Sequence, residues 1–354
     1  MAQIDDLLRY LKQHKGSDLH LAAGLEPRIR VHGSLVAVEG QPKLGDDGLR
    51  KLLREIASET QWQSYDETHD LDFAYGLDGV ARFRANFFVQ EHGAGAVLRM
   101  IPEKIVPLEE LRLPKAIEGL VDLRKGLVVV TGPTGSGKST TLAGIIDKIN
   151  RTYAKHILTL EDPVEFVHEN KKSVITHREV GAHTKGFGPG LRAAIRQDAD
   201  VVLVGEMRDY ETISLALTAA EMGMLVFGTL HTNSAPKTID RIIDTFPSDE
   251  QAQVRLSLAE SLAGVVAQLL LPTADGKGRV AANEILLKTK ALPNIIREAN
   301  VGMLGSFIQQ GKADGMQQMD DALFDLVQQK RVDPHDAYAK AMDKPRFEPL
   351  LPKE

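Results

Sequence analysis

Residues 126–140 read GLVVVTGPTGSGKST. Residues 132–140 of this stretch fit the pattern G-x-x-x-x-G-K-[ST]; they follow an apolar, β-branched run and open a segment that can continue as a helix. Glycines allow backbone N–H groups to face phosphate oxygens, the helix start adds a positive dipole end, and the lysine adds a full charge. The stretch therefore predicts a strand, a phosphate-binding loop and a helix, in that order.

The loop residues are the expected contacts of a nucleoside triphosphate. Lys138 is expected to neutralise charge on the transferred phosphoryl group, and the Ser139 hydroxyl is expected to ligate Mg²⁺. The predicted ATP-binding residues are Gly132, Pro133, Thr134, Gly135, Ser136, Gly137, Lys138, Ser139 and Thr140. ATP and Mg²⁺ are accordingly the predicted cofactors, and hydrolysis of ATP to ADP and phosphate is the predicted reaction.

Beyond residue 115 the chain alternates short apolar runs with helical segments, as a parallel sheet covered on both faces requires. The predicted strands are 126–131, 156–160, 201–204 and 225–229, and the predicted later helices are 249–271, 292–299 and 319–330. This pattern indicates an α/β domain over residues 115–342. The tail at 343–354 contains three prolines and is predicted to be poorly ordered.

Two acids and one histidine follow predicted strands of this domain. Because ligands of an open α/β sheet bind at the carboxyl ends of its strands, Glu161 and Glu206 should face the phosphate-binding loop. Two carboxylates suffice to serve Mg²⁺ and to orient an attacking water, although an acid at a strand end is as commonly a solvated loop residue. His231 closes another strand, where a histidine can contact phosphate, act as an acid or be purely structural.

Residues 1–101 show a different pattern, with short strands around glycine-bearing turns. The predicted helices are 2–14 and 46–57, and the predicted strands are 18–22, 28–31, 34–38 around the turn His32-Gly33, 71–75, 82–90 and 95–101. These elements define a small α+β domain, and the prolines and acids of 102–114 predict a linker. Arg82, Arg84 and Arg99 lie on its strands, either as a charged face in water or as arginine fingers that reach a neighbouring subunit's nucleotide.

The composition is that of a globular protein with two domains. Of the 354 residues, 43% are hydrophobic and 26% are charged, and no apolar run reaches the ~18 residues that a membrane-spanning helix needs. The acidic N-terminus is unlike a signal peptide, and the lack of cysteine excludes disulfides, thiolate zinc sites and thiol catalysis. These features predict a cytoplasmic protein, and the net charge of −6 argues against a nucleic-acid partner.

Several longer motifs resemble the type II/IV secretion ATPases, specifically those that retract type IV pili. The motifs are GPTGSGKST, LEDPVEF (160–166), REVG (178–181), AIRQDADVVLVGEMRD (194–209), VFGTLHTNSAPKTIDRIIDTFP (226–247), GSDLHL (16–21) and RFRANFFVQ (82–90). The resemblance covers nearly the whole chain. It implies a RecA-like P-loop ATPase domain preceded by a small α+β PAS-like domain, in a homohexamer whose ATP sites lie between the two domains and a neighbouring protomer.

The resemblance also implies roles and partners. Glu161 would orient the attacking water, Glu206 would hold the Mg²⁺ shell, His231 matches the second histidine of the family's His box, and the three arginines lie in the region that supplies arginines in trans. The implied function is ATP-driven pilin depolymerisation for twitching motility, at the cytoplasmic side of the inner membrane at the pilus base. The implied partners are a PilC-like platform protein of the inner membrane and an accessory retraction ATPase.

Other functions stay open at this point. The chain could itself be an accessory retraction ATPase, a pilus-assembly or secretion ATPase, or, from a different class, a nucleotide-dependent regulatory or scaffold subunit. A DNA translocase is disfavoured by the acidic balance. Three departures from the family pattern stand out. Met224 replaces the first His-box histidine, and Lys125 replaces an arginine before the loop strand. Leu292 and Pro293 replace the second and third residues of a segment that resembles the retraction motif AIRNLIRE.

Overall fold

The computed structural model describes residues 2–31, 33–101 and 104–352, which form two units. The first unit contains the described residues up to Lys104 and the segment Pro163–Val167. The second contains Ile105–Asp162 and the described residues from His168 onward. Across the described part of the chain, every helix is too short or too polar to cross a membrane.

A six-stranded antiparallel sheet, in the order β3-β2-β1-β6-β5-β4, forms the body of the first unit. Its strands are β1 (Asp18–Ala22), β2 (Arg28–Val31), β3 (Ser34–Ala37), β4 (Asp70–Leu77), β5 (Ala81–Gln90) and β6 (Gly93–Ile101). Its helices are α1 (Gln3–Gln13), α2 (Asp46–Arg54) and α3 (Glu59–Thr68). The predicted strands and two predicted helices are confirmed, with ends shifted by three residues or fewer.

Helix α3 was not among the predicted elements, because it buries little apolar surface. Only Tyr65 of this helix is buried, so no apolar periodicity marks it. Its start does carry a local signal. The Ser58 hydroxyl accepts a hydrogen bond from the Gln61 backbone N–H, and the Gln61 side chain accepts one from the Ser58 backbone N–H, which is a capping box. His32, in the predicted turn, lies outside the described residues.

The second unit is built on a seven-stranded sheet in the order β13-β12-β7-β11-β10-β8-β9. Its strands are β7 (Gly126–Thr131), β8 (His156–Glu161), β9 (Val174–Glu179), β10 (Val201–Val204), β11 (Leu225–Leu230), β12 (Leu262–Pro272) and β13 (Arg279–Leu287). All neighbouring pairs are parallel except β12 and β13. The helices are α4 (Lys115–Gly119), α5 (Lys138–Thr152), α6 (Phe187–Ala194), α7 (Tyr210–Glu221), α8 (Ala235–Asp244), α9 (Gln251–Ser261), α10 (Leu292–Arg297), α11 (Leu304–Gln310), α12 (Met319–Gln328), α13 (Pro334–Lys340) and α14 (Lys344–Phe347).

Both faces of this sheet are covered. Leu127 and Val129 of β7 belong to one apolar cluster, whereas Val128 and Val130 belong to a second cluster on the opposite face. Strands buried on two faces appear in the sequence as continuous apolar runs. The α/β architecture predicted for this part of the chain is confirmed.

The predicted helix at 249–271 is wrong in its second half. Helix α9 ends at Ser261, and β12 begins at Leu262 and pairs with β7. A fully buried central strand has apolar residues at every position, so its periodicity does not distinguish it from a buried helix. The adjacent β-branched valines in LAGVVAQLLLP favour the strand.

The boundary between the two units falls inside the predicted linker, between Lys104 and Ile105, but the predicted loose tail is wrong. Leu108, inside the range 102–114, is buried in the core of the second unit, while residues 102 and 103 lie outside the described residues. In the tail, Phe347 is fully buried and its ring lies 5.9 Å from the ring of Phe324. Pro345 occupies the first turn of α14, a position where proline starts a helix instead of disrupting it. Residues 353–354 are outside the described part.

Candidate nucleotide-binding site

The register of the parallel strands collects the predicted site residues at one edge of the second unit's sheet. Thr131 of β7 pairs with Leu230 of β11, and Val204 of β10 pairs with Leu160 of β8 and with Gly228 of β11. The residues that follow these strand ends are therefore neighbours in space. They are Gly132, His231 and Gly205 with Glu206, and they are joined by Glu161, the last residue of β8.

The loop between β7 and α5 has the backbone of a phosphate-binding loop. Gly132, Gly135 and Gly137 have φ values of 145°, 80° and 85°, which glycine adopts with little strain. Lys138 begins α5, and its Nζ donates hydrogen bonds to the carbonyl oxygens of Gly132 at 2.8 Å and Pro133 at 3.2 Å. The lysine thus lies across the loop, at the positive end of a fifteen-residue helix.

The loop fits a phosphate group by its chemistry. Space around Gly135 is open, since a Cβ there would meet no atom of the described residues within 4 Å. The Ser136 hydroxyl is buried and has no hydrogen-bond partner among the described residues. Backbone N–H groups of the loop, the Lys138 ammonium and the Ser139 hydroxyl are the donors and ligands that a nucleotide with Mg²⁺ requires.

Glu206 is held at the centre of this edge by two basic side chains. His231 Nε2 lies 2.9 Å from Glu206 Oε1, and Arg208 Nε forms an ion pair with the same oxygen. Burial alone would raise the pKa of Glu206, but the hydrogen bonds and charges of Arg208 and His231 together lower it below its ordinary value. The carboxylate is therefore ionised at neutral pH and able to serve a cation.

Glu161 is buried and is the last residue of β8, the strand that pairs with β10, after which Glu206 follows. The backbone N–H of Gly205 donates to the Leu160 carbonyl at 2.7 Å, and a Cβ on Gly205 would lie 3.2 Å from Glu161 Cα. A glycine at 205 therefore allows the two acidic segments to approach closely. Glu179 of β9, to which the sequence motifs gave no role, pairs in register with Glu161 of β8.

No three His, Asp or Glu side chains converge on a metal-sized site in the ranges that the structure describes. Mg²⁺ in phosphate sites is commonly held by one or two protein groups, with phosphate oxygens and water completing the shell. Ser139 and Glu206 are the residues that would hold it here.

A chain of hydroxyl groups fixes the turn that carries His231. Thr131 Oγ1 donates to the Thr232 carbonyl at 2.6 Å, and Thr232 Oγ1 lies 2.7 Å from Thr238 Oγ1 on α8. The carboxylate of Glu284, on β13, accepts a hydrogen bond from the Ala235 N–H at 2.7 Å, and burial raises its pKa. None of these residues was predicted as part of the site, and the contacts Thr131–Thr232 and Glu284–Ala235 join segments that are distant in sequence.

The three arginines lie in the first unit, on one face of its sheet. Arg84 and Arg99 are directly opposite one another on β5 and β6, and Arg82 precedes Arg84 by two residues on the same face. Arg99 Nε donates to Asp18 Oδ1 at 2.7 Å, and Arg84 Nε lies 3.7 Å from Asp72 Oδ1. They form a basic strand face, and the loop residues belong to the other unit.

The departures from the family pattern are accommodated structurally. Met224 is buried in the core, immediately before β11, whereas His231 follows the opposite end of that strand. Lys125 is exposed directly before β7, at the end of the strand away from the loop. Pro293 lies in the first turn of α10, where it does not interrupt the helix.

A mostly parallel sheet with a phosphate-binding loop and two acids at the same edge defines a P-loop nucleoside triphosphatase. A family model described as type II/IV secretion system protein matches residues 70–320. The chain belongs to this family.

Within this family, the chain can be compared with individual proteins. The chain is 50% identical over 338 residues to the type IV pilus retractation ATPase PilT of Pseudomonas aeruginosa, an alignment that covers 96% of this chain and 98% of the relative. It is 48% identical to the twitching motility protein of Neisseria gonorrhoeae, covering 90% of this chain and 84% of the relative. A crystal structure of the pilus retraction motor PilT with bound ADP superposes with a TM-score of 0.89 at 43% identity, covering 98% of this chain and 99% of that one.

Proposed function

We propose that this chain is a Mg²⁺-dependent ATPase that powers retraction of type IV pili, by depolymerising pilin in twitching motility. The observation that carries the proposal is the phosphate-binding loop at the same sheet edge as the Glu206–His231 pair. The 50% identity to PilT over nearly the full length of both chains supports the retraction function.

In the proposed reaction, ATP and water give ADP and phosphate. The residues at the sheet edge that carries the phosphate-binding loop each have a separate role in this hydrolysis. Loop N–H groups and Lys138 bind the phosphates, and Ser139 and Glu206 hold Mg²⁺. When bound, Mg²⁺ neutralises charge that develops on the phosphoryl oxygens. Glu161 orients the attacking water, and His231 fixes the Glu206 carboxylate through its hydrogen bond at 2.9 Å.

The proposal includes a homohexameric ring in which Arg82, Arg84 and Arg99 serve the nucleotide of a neighbouring protomer. Asp18 would position Arg99 for this role, because the buried Asp18 carboxylate accepts a hydrogen bond from Arg99 Nε at 2.7 Å. The ring acts from the cytoplasm at the pilus base, on a platform protein of the inner membrane, and an accessory retraction ATPase is a further partner. Nucleic acid is not part of the proposed function.

The test of the site is Lys138→Ala. Loss of the lysine removes the main side-chain counter-charge of the phosphates, so hydrolysis by the purified ring should disappear. The test of the biological function is a gene deletion complemented with the same variant and scored for surface pili. Excess pili that do not retract support retraction, whereas loss of pili indicates an assembly motor and overturns that part of the proposal. Wild-type turnover in Lys138→Ala overturns the site.

The trans arginines are tested by mixing two defective variants. Arg99→Ala should bind Mg·ATP normally and lose most turnover, since an arginine in trans contributes about 10³ to 10⁵ in turnover where it has been isolated. Rings mixed from Arg99→Ala and Lys138→Ala contain interfaces with an intact loop and an intact arginine, so some activity should return. Arg9→Ala, which removes an arginine with an exposed ion pair on α1, is the control and should be fully active. Mixed rings with no more activity than either parent contradict the trans role.

A further inference from the structure

The hairpin β12–β13 extends beyond the strand that carries the phosphate-binding loop. β12 pairs with β7 as far as Ala267 and Thr131, and then continues beside β13 from Gln268 to Pro272. The loop packs against this extension. A Cβ on Gly132 would lie 2.2 Å from the Gln268 carbonyl oxygen, and one on Gly137 would lie 3.2 Å from Leu270 Cδ1.

Gln268 is a buried polar residue within this apolar strand, and its amide joins three elements. Nε2 donates to the Ser136 carbonyl oxygen in the loop at 2.7 Å. Oε1 accepts from Thr141 Oγ1 on α5 at 2.9 Å and from Asn283 Nδ2 on β13 at 3.1 Å. The Ser136 carbonyl oxygen can only accept a hydrogen bond, so the Gln268 side-chain nitrogen must face it. This contact therefore assigns the nitrogen and oxygen positions of the Gln268 amide.

The contact sets the direction of one backbone N–H. In a trans peptide the carbonyl and the following N–H point to opposite sides. Because Gln268 holds the Ser136 carbonyl, the N–H of Gly137 points away from the hairpin. Gly137 has a φ of 85°, precedes Lys138 and caps α5, so its N–H belongs to the loop donors that face phosphate.

We propose that Gln268 is a positioning residue of the nucleotide site, which fixes the peptide between Ser136 and Gly137 so that its N–H faces the phosphate-binding side of the loop. Thr141 and Asn283 hold the Gln268 amide from its other end. The inference rests on the proposed nucleotide binding, and it assigns to Gln268 no contact with the nucleotide itself. The ligand feature that it concerns is the phosphate chain, not the base.

The test is Gln268→Met, which preserves the length of the side chain and removes the amide. The dissociation constant of ADP, measured by calorimetry, should rise about tenfold, the equivalent of one good hydrogen bond at 1.4 kcal/mol per tenfold change. KM for ATP should rise by a similar factor while kcat changes less, because an N–H that binds phosphate throughout the reaction contributes uniform binding. A purely structural role would instead lower the folded fraction, and so apparent kcat, with KM and ADP affinity unchanged.

Gln317→Met is the matched control. Gln317 donates to the Asn283 carbonyl at 3.1 Å, beside the same hairpin, and makes no hydrogen bond to the loop among the described residues. It should bind ADP like the parent. If Gln268→Met does not fold, Gln268→Glu decides, since a carboxylate of the same volume cannot donate to the Ser136 carbonyl and should weaken ADP binding at least as much.

Parent-like ADP affinity in a folded Gln268 variant overturns the positioning role. That outcome is distinguishable from failure of the proposed function. If the parent itself does not bind ADP, the nucleotide site is wrong, whereas if the parent binds ADP and Lys138→Ala does not, only the role of Gln268 is at issue.

Discussion

Gly132→Ala tests whether the phosphate-binding loop is packed against β12 as the structure has it. Gly132 begins the loop with a φ of 145°. Gly135→Ala is the matched control, because Gly135 lies in the same loop with a φ of 80° and no atom lies within 4 Å of its Cβ position. The two substitutions add the same methyl group to backbones that favour glycine, and they differ in what that methyl group meets.

The expected cost follows from the distances. At Gly132 the new Cβ would lie 2.2 Å from the Gln268 carbonyl oxygen and 2.7 Å from Ser136 Oγ, so strand or loop must move. A non-glycine residue in a sparsely populated backbone region costs about 1–3 kcal/mol. Overpacking adds about 1–3 kcal/mol. Gly132→Ala should therefore cost about 2–6 kcal/mol, and Gly135→Ala only the backbone part of this.

The cost can be divided between stability and nucleotide binding. If β12 moves, unfolding in urea, followed by circular dichroism, should shift to lower denaturant; if the loop moves, ADP affinity should fall instead. The loss in unfolding free energy and the loss in ADP-binding free energy should be added for each variant. This sum is then compared between Gly132→Ala and Gly135→Ala. Trp62, the single tryptophan, lies on α3 of the first unit, so its fluorescence reports independently whether that unit is unaffected. A Gly132→Ala chain with a summed loss no larger than that of Gly135→Ala would refute the packing described here.

Three further predictions concern the site and the core. Glu161→Gln should keep Mg·ATP affinity and lose turnover, whereas Glu206→Gln should also raise the Mg²⁺ concentration needed for activity; a metal titration of both variants that gives the opposite pattern would exchange their roles. Burial, with His177 nearby, lowers the pKa of His168 to about 4. The unfolding free energy should therefore be fully retained above pH 6.5 and fall by about 3 kcal/mol as pH drops to 4. Urea titrations should show a flatter pH profile for His168→Phe. Phe347→Ala should destabilise the second unit by about 3–5 kcal/mol and leave ADP affinity unchanged, and an unaltered urea midpoint would contradict its buried position.

The sign of the His168 prediction follows from its environment. The imidazole is buried, and it is neutral in the fold because a charge there would be poorly solvated. The unfolded chain takes up a proton as pH falls below 6.5, which favours unfolding until the folded histidine also protonates. An increase in stability between pH 6.5 and 4 that depends on His168 would contradict this assignment.

Much of the fold could be predicted where sequence patterns are local. Strands β7, β10 and β11 are buried on both faces, so they appear as short apolar runs, and the loop motif identified β7. The range 249–271 failed because a buried strand and a buried helix share that appearance. The tail failed for a different reason, since its prolines start short helical turns and Phe347 finds a partner in Phe324, far earlier in the chain.

The site residues likewise differ in whether local sequence patterns could predict them. The rule that ligands bind at the carboxyl ends of parallel strands was enough to select Glu161 and Glu206 from the sequence. Gln268 was not selected, because its significance depends on a hydrogen bond to Ser136, 132 residues away. A glutamine within VVAQLLL was nevertheless a usable signal, since a buried polar side chain in a central strand needs a partner.

His231 shows how strand order determines the contacts of a histidine at a strand end. Its position at a strand end allowed both interpretations, and only the resemblance of the surrounding motif to the family's His box favoured a functional role. The contact of its Nε2 with Glu206 Oε1 at 2.9 Å exists because β10 and β11 are adjacent and in register, so that the residues after Val204 and Leu230 meet. The chemistry available to His231 is thus determined by strand order. A change that alters the register of β10 against β11 should therefore separate the pair even with both residues intact.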